Sequence, residues 1–506
     1  MMAKVTAGTT VGLQGVLVQV EVDVSGKGFP TFTIVGLPGK AIDEAKDRVR
    51  TAITNAGYEM PDSRLTVNLA PADVPKSGSV FDLAIALGIL IASGVLPQKE
   101  IVPYMVLGEL SLEGEVRGIS GVLPLVLLAR EQGIHHILLP SINTKEASVC
   151  EDVTLYPVQT LSHVIAHILQ KTIISPHVPS PEGLTSPSEA SLYDFSHING
   201  QEQAKRALEI AAAGFHNLHM KGSPGAGKTI LSRSFPTILP PLEKQEMLEV
   251  AKIYSITSGL TPSLFHGVRP FRAPHHTTSR VGLIGGGSNP SPGEISLAHR
   301  GVLFLDEFPE FPRHVLESLR QPLEDGIVTV SRASGSLTFP ARFLLLAASN
   351  PCPCGYFGHP KHPCKCVPGL ILRYKKRLSG PLLDRIDLHI DVPPVEVDKL
   401  TNNHGAESSA TIQMRVMQAQ TYQMKRFEGA TIHFNSEMSS SEIRKYCILE
   451  HSAQELLSLA VDKLMLSARS YFKVIKVART IADLDRSDNI IKAHIAEALQ
   501  YRAPNE

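Results

Sequence analysis

The stretch Gly222-Ser223-Pro224-Gly225-Ala226-Gly227-Lys228-Thr229 constrains this chain more than any other eight residues. It matches G-x-x-x-x-G-K-[ST], the loop that cradles nucleotide phosphates between a strand and a helix. Gly222, Gly225 and Gly227 let the backbone turn its N–H groups inward, and Ser223, Pro224 and Ala226 complete the cradle. The helix that follows adds its positive N-terminal dipole. Lys228 supplies a point charge for the β- and γ-phosphates, and Thr229 offers a hydroxyl to Mg²⁺. Residues 302–307 read Val-Leu-Phe-Leu-Asp-Glu, an apolar strand ending in two acids. Asp306 is expected to hold the same Mg²⁺, and Glu307 to polarise the attacking water. Residues 343–350, Phe-Leu-Leu-Leu-Ala-Ala-Ser-Asn, form a second buried-strand run. Functional side chains of a parallel sheet sit at the carboxyl ends of its strands, so Asn350 is expected beside the γ-phosphate. Together these motifs imply binding and hydrolysis of a nucleoside triphosphate.

At 506 residues the chain has room for roughly three domains. Lys+Arg and Asp+Glu balance at 49 each, which gives no global basic field but leaves room for a locally basic channel. The longest uncharged apolar run, 83–98, is shorter than the roughly 20 residues a membrane span needs, and reads as a buried helix. The N-terminus has no apolar signal core, and with six cysteines this points to a reducing cytoplasm and no membrane. Residues 16–24, 32–37 and the run RLTVNLAP read as strands; 41–57, 80–96 and 120–133 read as helices. Residues 171–192 are rich in Pro, Ser and Thr and read as a linker. Residues 193–395 carry the nucleotide motifs, 401–410 read as a mobile loop, and the rest, from about 396, is mostly helical.

Four cysteines fall into two C-x-C pairs, Cys352 with Cys354 and Cys364 with Cys366. Such pairs across a short loop can set four thiolates around Zn²⁺, with His359 or His362 able to replace one. Unligated thiols and a redox switch are the other two readings.

Longer strings surround these motifs: INGQEQAKRALEIAAAG (198–214), FRAPHHTTS (271–279), GEISLAHRGVLFLDEF (293–308), NPCPCGYFGHP (350–360), LSGPLLDRIDL (378–388) and KVARTIADL (476–484). On them the chain, end to end, resembles the magnesium-chelatase-like AAA+ ATPases of the YifB/ComM family. The resemblance implies an α/β multidomain chain that uses ATP and Mg²⁺. Residues 1–170 would form a Lon-protease-like α+β domain, 171–192 the linker, 193–395 an AAA+ P-loop core, and 396–506 a helical lid. Two insertions mark this clade, one in helix 2 at 268–292 and one before the Asn350 strand at 326–342; in a ring both would point into the pore. Arg332, near the tip of the second, is then either a DNA phosphate contact or an exposed arginine on a structural hairpin. His275 and His276 are either pore contacts or packed histidines.

Arg385 sits where related proteins carry an arginine finger for a neighbour's nucleotide. Arg469 resembles the lid arginine that senses the γ-phosphate, with Arg479 as the alternative. Lon-type proteolysis needs a serine and lysine pair. The alignment puts Val80 and Leu123 at those positions, so the domain is expected to be an inactive protease-like fold. The function implied is a hexameric DNA motor, a helicase promoting branch migration of recombination intermediates in natural transformation. The alternatives are a protein-remodelling or regulatory ATPase that docks partners on its N-terminal domain, and a chelatase-type motor.

Overall fold

The computed structural model describes the chain except for residues 1, 26–28, 38, 75, 77, 179–192, 258, 288–289, 333–334, 395–405 and 504–506. Residues 179–192 of the expected linker, 401–405 of the expected loop and the expected boundary between core and lid lie outside the described residues, and the loop's last two positions, Ser409 and Ala410, are helical instead. The chain divides into two compact units, one of residues 1–185 with 247–265, the other of residues 186–246 with 266–506.

The first unit is built on a seven-stranded mixed sheet. Its strands are β1 (Met2–Val11), β2 (Gln14–Ser25), β3 (Thr31–Val35), β4 (Arg64–Ala70), β5 (Tyr104–Val106), β6 (His136–Pro140) and β7 (Thr154–Val158), in the order β3-β4-β2-β1-β5-β6-β7. β1 pairs antiparallel with β2, whereas β5, β6 and β7 run parallel. Ala3, Val5 and Ala7 point into the core with Val18, Val20 and Val22, the period of two that a half-buried strand requires. The helix α1 (Ala45–Asn55) buries Val49, Ala52 and Ile53 on one face. The apolar run becomes α2 (Asp82–Ala92), with all 11 residues buried. Among the described residues no helix is long and apolar enough to cross a membrane. At the head of α2 the buried Asp82 takes Arg48 Nε at 2.8 Å, and burial pushes its carboxyl up to about 6. The helix α3 (Val122–Glu131) starts where the backbone N–H groups of Gly121 and Leu123 bond the carbonyl and hydroxyl of Ser255. Residues 247–265, which the sequence places within the nucleotide-binding region, thus belong to the first unit by their contacts, and Ala251 lies in its core.

The second unit holds a five-stranded sheet that is parallel throughout. Its strands are β8 (Leu218–Gly222), β9 (Phe271–Arg272), β10 (Val302–Leu305), β11 (Leu344–Ser349) and β12 (Leu388–Val392), in the order β9-β10-β11-β8-β12. One face of the sheet, including Leu218, Met220, Leu346 and Ile390, shares a single core with α4 (Glu202–Gly214) and with the C-terminal helices α5 (Ser409–Arg426), α6 (His451–Leu464) and α7 (Ala468–Leu484). α5 lies in the region that the sequence reads as mostly helical, and its inward residues Ile412, Val416 and Ala419 recur every three to four positions. Residues 326–342 contain the expected hairpin: Ile327–Arg332 pairs antiparallel with Gly335–Pro340, and Arg332 stands opposite Gly335. The Arg332 side chain lies outside what is described. Val328, Val330 and Phe339 are buried on one face of the hairpin, and hydroxyl pairs Thr329/Thr338 and Ser331/Ser336 are exposed on the other.

Two histidines lie on the other face of the sheet. His219 Nε2 meets Ser349 Oγ at 2.8 Å, and His389 Nε2 has no hydrogen-bond partner. Burial pulls their pKa values down to about 3 and about 4. Between those values and 6.5 the unfolded chain binds more protons than the folded one, so stability is full above pH 6.5 and falls as pH drops towards 4. His389→Gln should remove its share of that loss, about 3 kcal/mol by pH 4; chemical denaturation of both proteins between pH 7.5 and 4 measures it.

Candidate nucleotide site

β8 carries the chain to the carboxyl edge of the sheet, where the phosphate-binding loop begins. A Cβ on Gly222 would stand 2.3 Å from the Val392 carbonyl oxygen, so only glycine lets β12 pair this closely there. Gly225 and Gly227 take φ of +77° and +92°, the left-handed turn that aims successive N–H groups into the loop. The short helix Lys228–Ser234 starts directly at the lysine. Lys228 is 8% exposed, and its Nζ donates to the carbonyls of Gly222 (2.7 Å) and Ser223 (2.9 Å) and to Asn350 Oδ1 (3.2 Å). Burial pulls its pKa below the ordinary lysine range, with Asp306 opposing.

β10 ends at the two acids. Thr229 donates its hydroxyl to Asp306 Oδ2 at 3.1 Å, which brings together the two groups expected on Mg²⁺. Glu307 follows in a left-handed conformation, φ +50°, rare outside glycine and found where a site dictates the backbone. Its carboxylate lies 3.1 Å from His276 Nδ1, and the ring of His276 packs 4.1 Å from that of His275. Asn350, directly after β11, meets the lysine. Lys228, Thr229, Asp306 and Asn350 are thus gathered through direct contacts, and Glu307 adjoins them. The partnership of His276 with Glu307 goes beyond the two roles the sequence left open.

Arg385 and Arg469 lie elsewhere. Both pair with Glu324, Arg469 Nη2 at 3.1 Å, in a cavity of about 550 Å³ lined also by Asp384, Lys473 and Lys476. Lys228, Thr229, Asp306, Glu307 and Asn350 do not line it. Arg385 Nε is buried with no hydrogen-bond partner. The Arg385 hydrogen bond holds the Glu324 carboxyl below the usual carboxylate range. Glu324, in the run QPLEDG, carries no motif that singles it out. Arg479 is 1% exposed, bonded to Asp483 and to the carbonyls of Ser487 and Asp488. It is a packed, paired arginine inside the helical core.

The four cysteines do converge. Cys352, Cys354 and Cys364 have Sγ–Sγ distances of 3.4, 3.7 and 3.5 Å, and all four sulfurs lie within 4.8 Å of one another.

A phosphate-binding loop and an acid-tipped strand on the edge of one parallel sheet define a protein of P-loop nucleotide-binding type. Three family models match: "Magnesium chelatase, subunit ChlI" over residues 194–400, "Subunit ChlI of Mg-chelatase" over 20–143 and "Magnesium chelatase, subunit ChlI C-terminal" over 406–502. The chain is 43% identical to the Competence protein ComM of Haemophilus influenzae over 99% of its own length and 97% of the relative's. It is 43% identical to the YifB protein of Escherichia coli K12 over 97% and 95%. It is 29% identical to the Magnesium-chelatase 38 kDa subunit of Cereibacter sphaeroides over 31% of this chain and 53% of that one. The chain belongs to the ComM/YifB family of magnesium-chelatase-like proteins.

Lys228→Ala should abolish ATP binding. Glu307→Gln should leave ATP affinity within about twofold while kcat falls about 10²- to 10⁴-fold. Calorimetry and phosphate release on the same preparations separate the two effects.

Proposed function

We propose that this chain is the subunit of an ATP-driven hexameric ring that moves DNA, a helicase promoting branch migration of recombination intermediates. The observation that carries the ring is the position of Arg385 and Arg469, which line a cavity separate from their own chain's phosphate loop. On this reading Arg385 serves a neighbour's nucleotide. Arg385 stabilises the charge that develops on the transferred phosphoryl group, Arg469 reads the γ-phosphate, and Glu324 holds both in register. Within each subunit ATP is cradled by residues 222–229 and Mg²⁺ is held by Thr229 and Asp306. Glu307 polarises water, and Asn350 positions it.

DNA as the cargo is supported by the full-length similarity to a protein named for competence, and by a hairpin whose exposed face is polar. Arg332 ends one hairpin strand and is the candidate phosphate contact. The motor works in the cytoplasm, where recombination intermediates lie. The first unit is a Lon-like fold without peptidase activity: Val80 and Leu123, at the positions of the serine and lysine, are 8% and 0% exposed in an apolar core. Zn²⁺ fits the four cysteines. Sulfurs each about 2.3 Å from a tetrahedral Zn²⁺ stand about 3.8 Å apart, close to the spacing found. A chelatase-type motor is the second reading that the family models raise, and the partial coverage of the 38 kDa subunit weighs against it.

ATP hydrolysis measured without DNA, and with single strands, duplex and a four-way junction, tests the motor. Branched DNA should stimulate strongly; hydrolysis indifferent to every DNA would favour protein remodelling. Arg385→Ala should lower kcat about 10³-fold. Mixing it with Lys228→Ala protein should restore part of the activity, because each variant supplies what its neighbour lacks.

A further inference from the structure

The cysteine loop is joined to the phosphate site at two points. Cys352 follows two residues after Asn350, whose amide oxygen receives the Lys228 ammonium at 3.2 Å. The second point is Gly355, with φ +83°: a Cβ there would stand 2.5 Å from Pro224 Cδ, in the middle of the phosphate-binding loop. The turn between the cysteine pairs therefore lies flat against that loop.

The thiols are arranged for a metal. The backbone N–H of Phe357 points at Cys352 Sγ at 3.3 Å, and that of Cys366 at Cys364 Sγ at 3.4 Å. Such N–H···S bonds favour thiolates, the form that binds metal. The segment is rich in Pro and Gly, so cross-linking four thiolates is what gives it a fixed shape.

We infer that Zn²⁺ at Cys352, Cys354, Cys364 and Cys366 and magnesium nucleotide at residues 222–229 bind cooperatively, each tightening the other through the Gly355–Pro224 contact and Asn350. With the metal in place the turn braces Pro224 and sets Asn350 beside Lys228. Without it, ordering the loop is charged against nucleotide binding. Linkage is reciprocal, so nucleotide must slow metal loss by as much as metal strengthens nucleotide binding. The inference rests only on the ATP-binding part of the proposed function.

The full chain is purified under reducing conditions and its metal content measured. Zinc release to 4-(2-pyridylazo)resorcinol is then followed with and without Mg-ATPγS, and ATPγS affinity is measured before and after stripping. One Zn²⁺ per chain, with metal and nucleotide affinities each changed about 5-fold or more by the other ligand, is expected. Gly355→Ala keeps all four thiols but pushes the turn off Pro224. It should retain zinc, bind ATPγS more weakly and release zinc at a rate that nucleotide no longer affects. Absence of zinc, a disulfide among the four cysteines, or zinc and nucleotide affinities that ignore each other would overturn the inference. So would a Gly355→Ala protein with unaltered linkage. Failure of the motor reading looks different: linkage persists while DNA leaves hydrolysis unchanged.

Discussion

The second unit depends on how closely β8 and β12 approach at their carboxyl ends. The Val392 carbonyl occupies the space that a side chain at residue 222 would need. With a bare Cα there, the strand stays paired to its last residue, and the phosphate loop springs from the sheet edge itself. Asp306 and Asn350 end their strands on that same edge, so lysine, hydroxyl, carboxylate and amide meet without any long reach. The site is rigid because its members are the ends of paired strands rather than parts of free loops.

The convergence of Lys228, Thr229, Asp306 and Asn350 was legible in the sequence because phosphate and Mg²⁺ leave little choice of partner. A glycine loop, a lysine and an acid-tipped apolar strand can be read without coordinates. What depended on distant segments meeting was not legible. Glu324, Arg385 and Arg469 are far apart in the chain, and nothing in the run around Glu324 announces that it collects two arginines. The strand Met2–Val11 escaped notice because its buried positions include the small residues Ala3 and Ala7, whose alternation with Lys4 and Thr6 is a faint signal. Residues 247–265 show no composition change, and only their contacts assign them to the first unit.

Arg479, which the sequence offers as an alternative γ-phosphate sensor, is packed and paired inside the helical core. Arg479 and Arg426 share the buried carboxylate of Asp483, which also accepts from Asn435, so the helical core holds a satisfied ionic cluster. His276 goes the other way. It belongs to the chain segment that follows β9 yet touches Glu307, so a shift in that segment alters the setting of that carboxylate.

The hairpin of residues 327–340 turns hydroxyls outward, with Thr329 beside Thr338 and Ser331 beside Ser336. A polymer lying on these rungs would meet neutral donors and acceptors. Neutral contacts displace few counterions, so ionic strength changes such a hold little. Each rung also resembles the next, so a backbone can step from one to another without passing a deep energy minimum. A surface of this kind suits grip and release in succession better than tight attachment at one place.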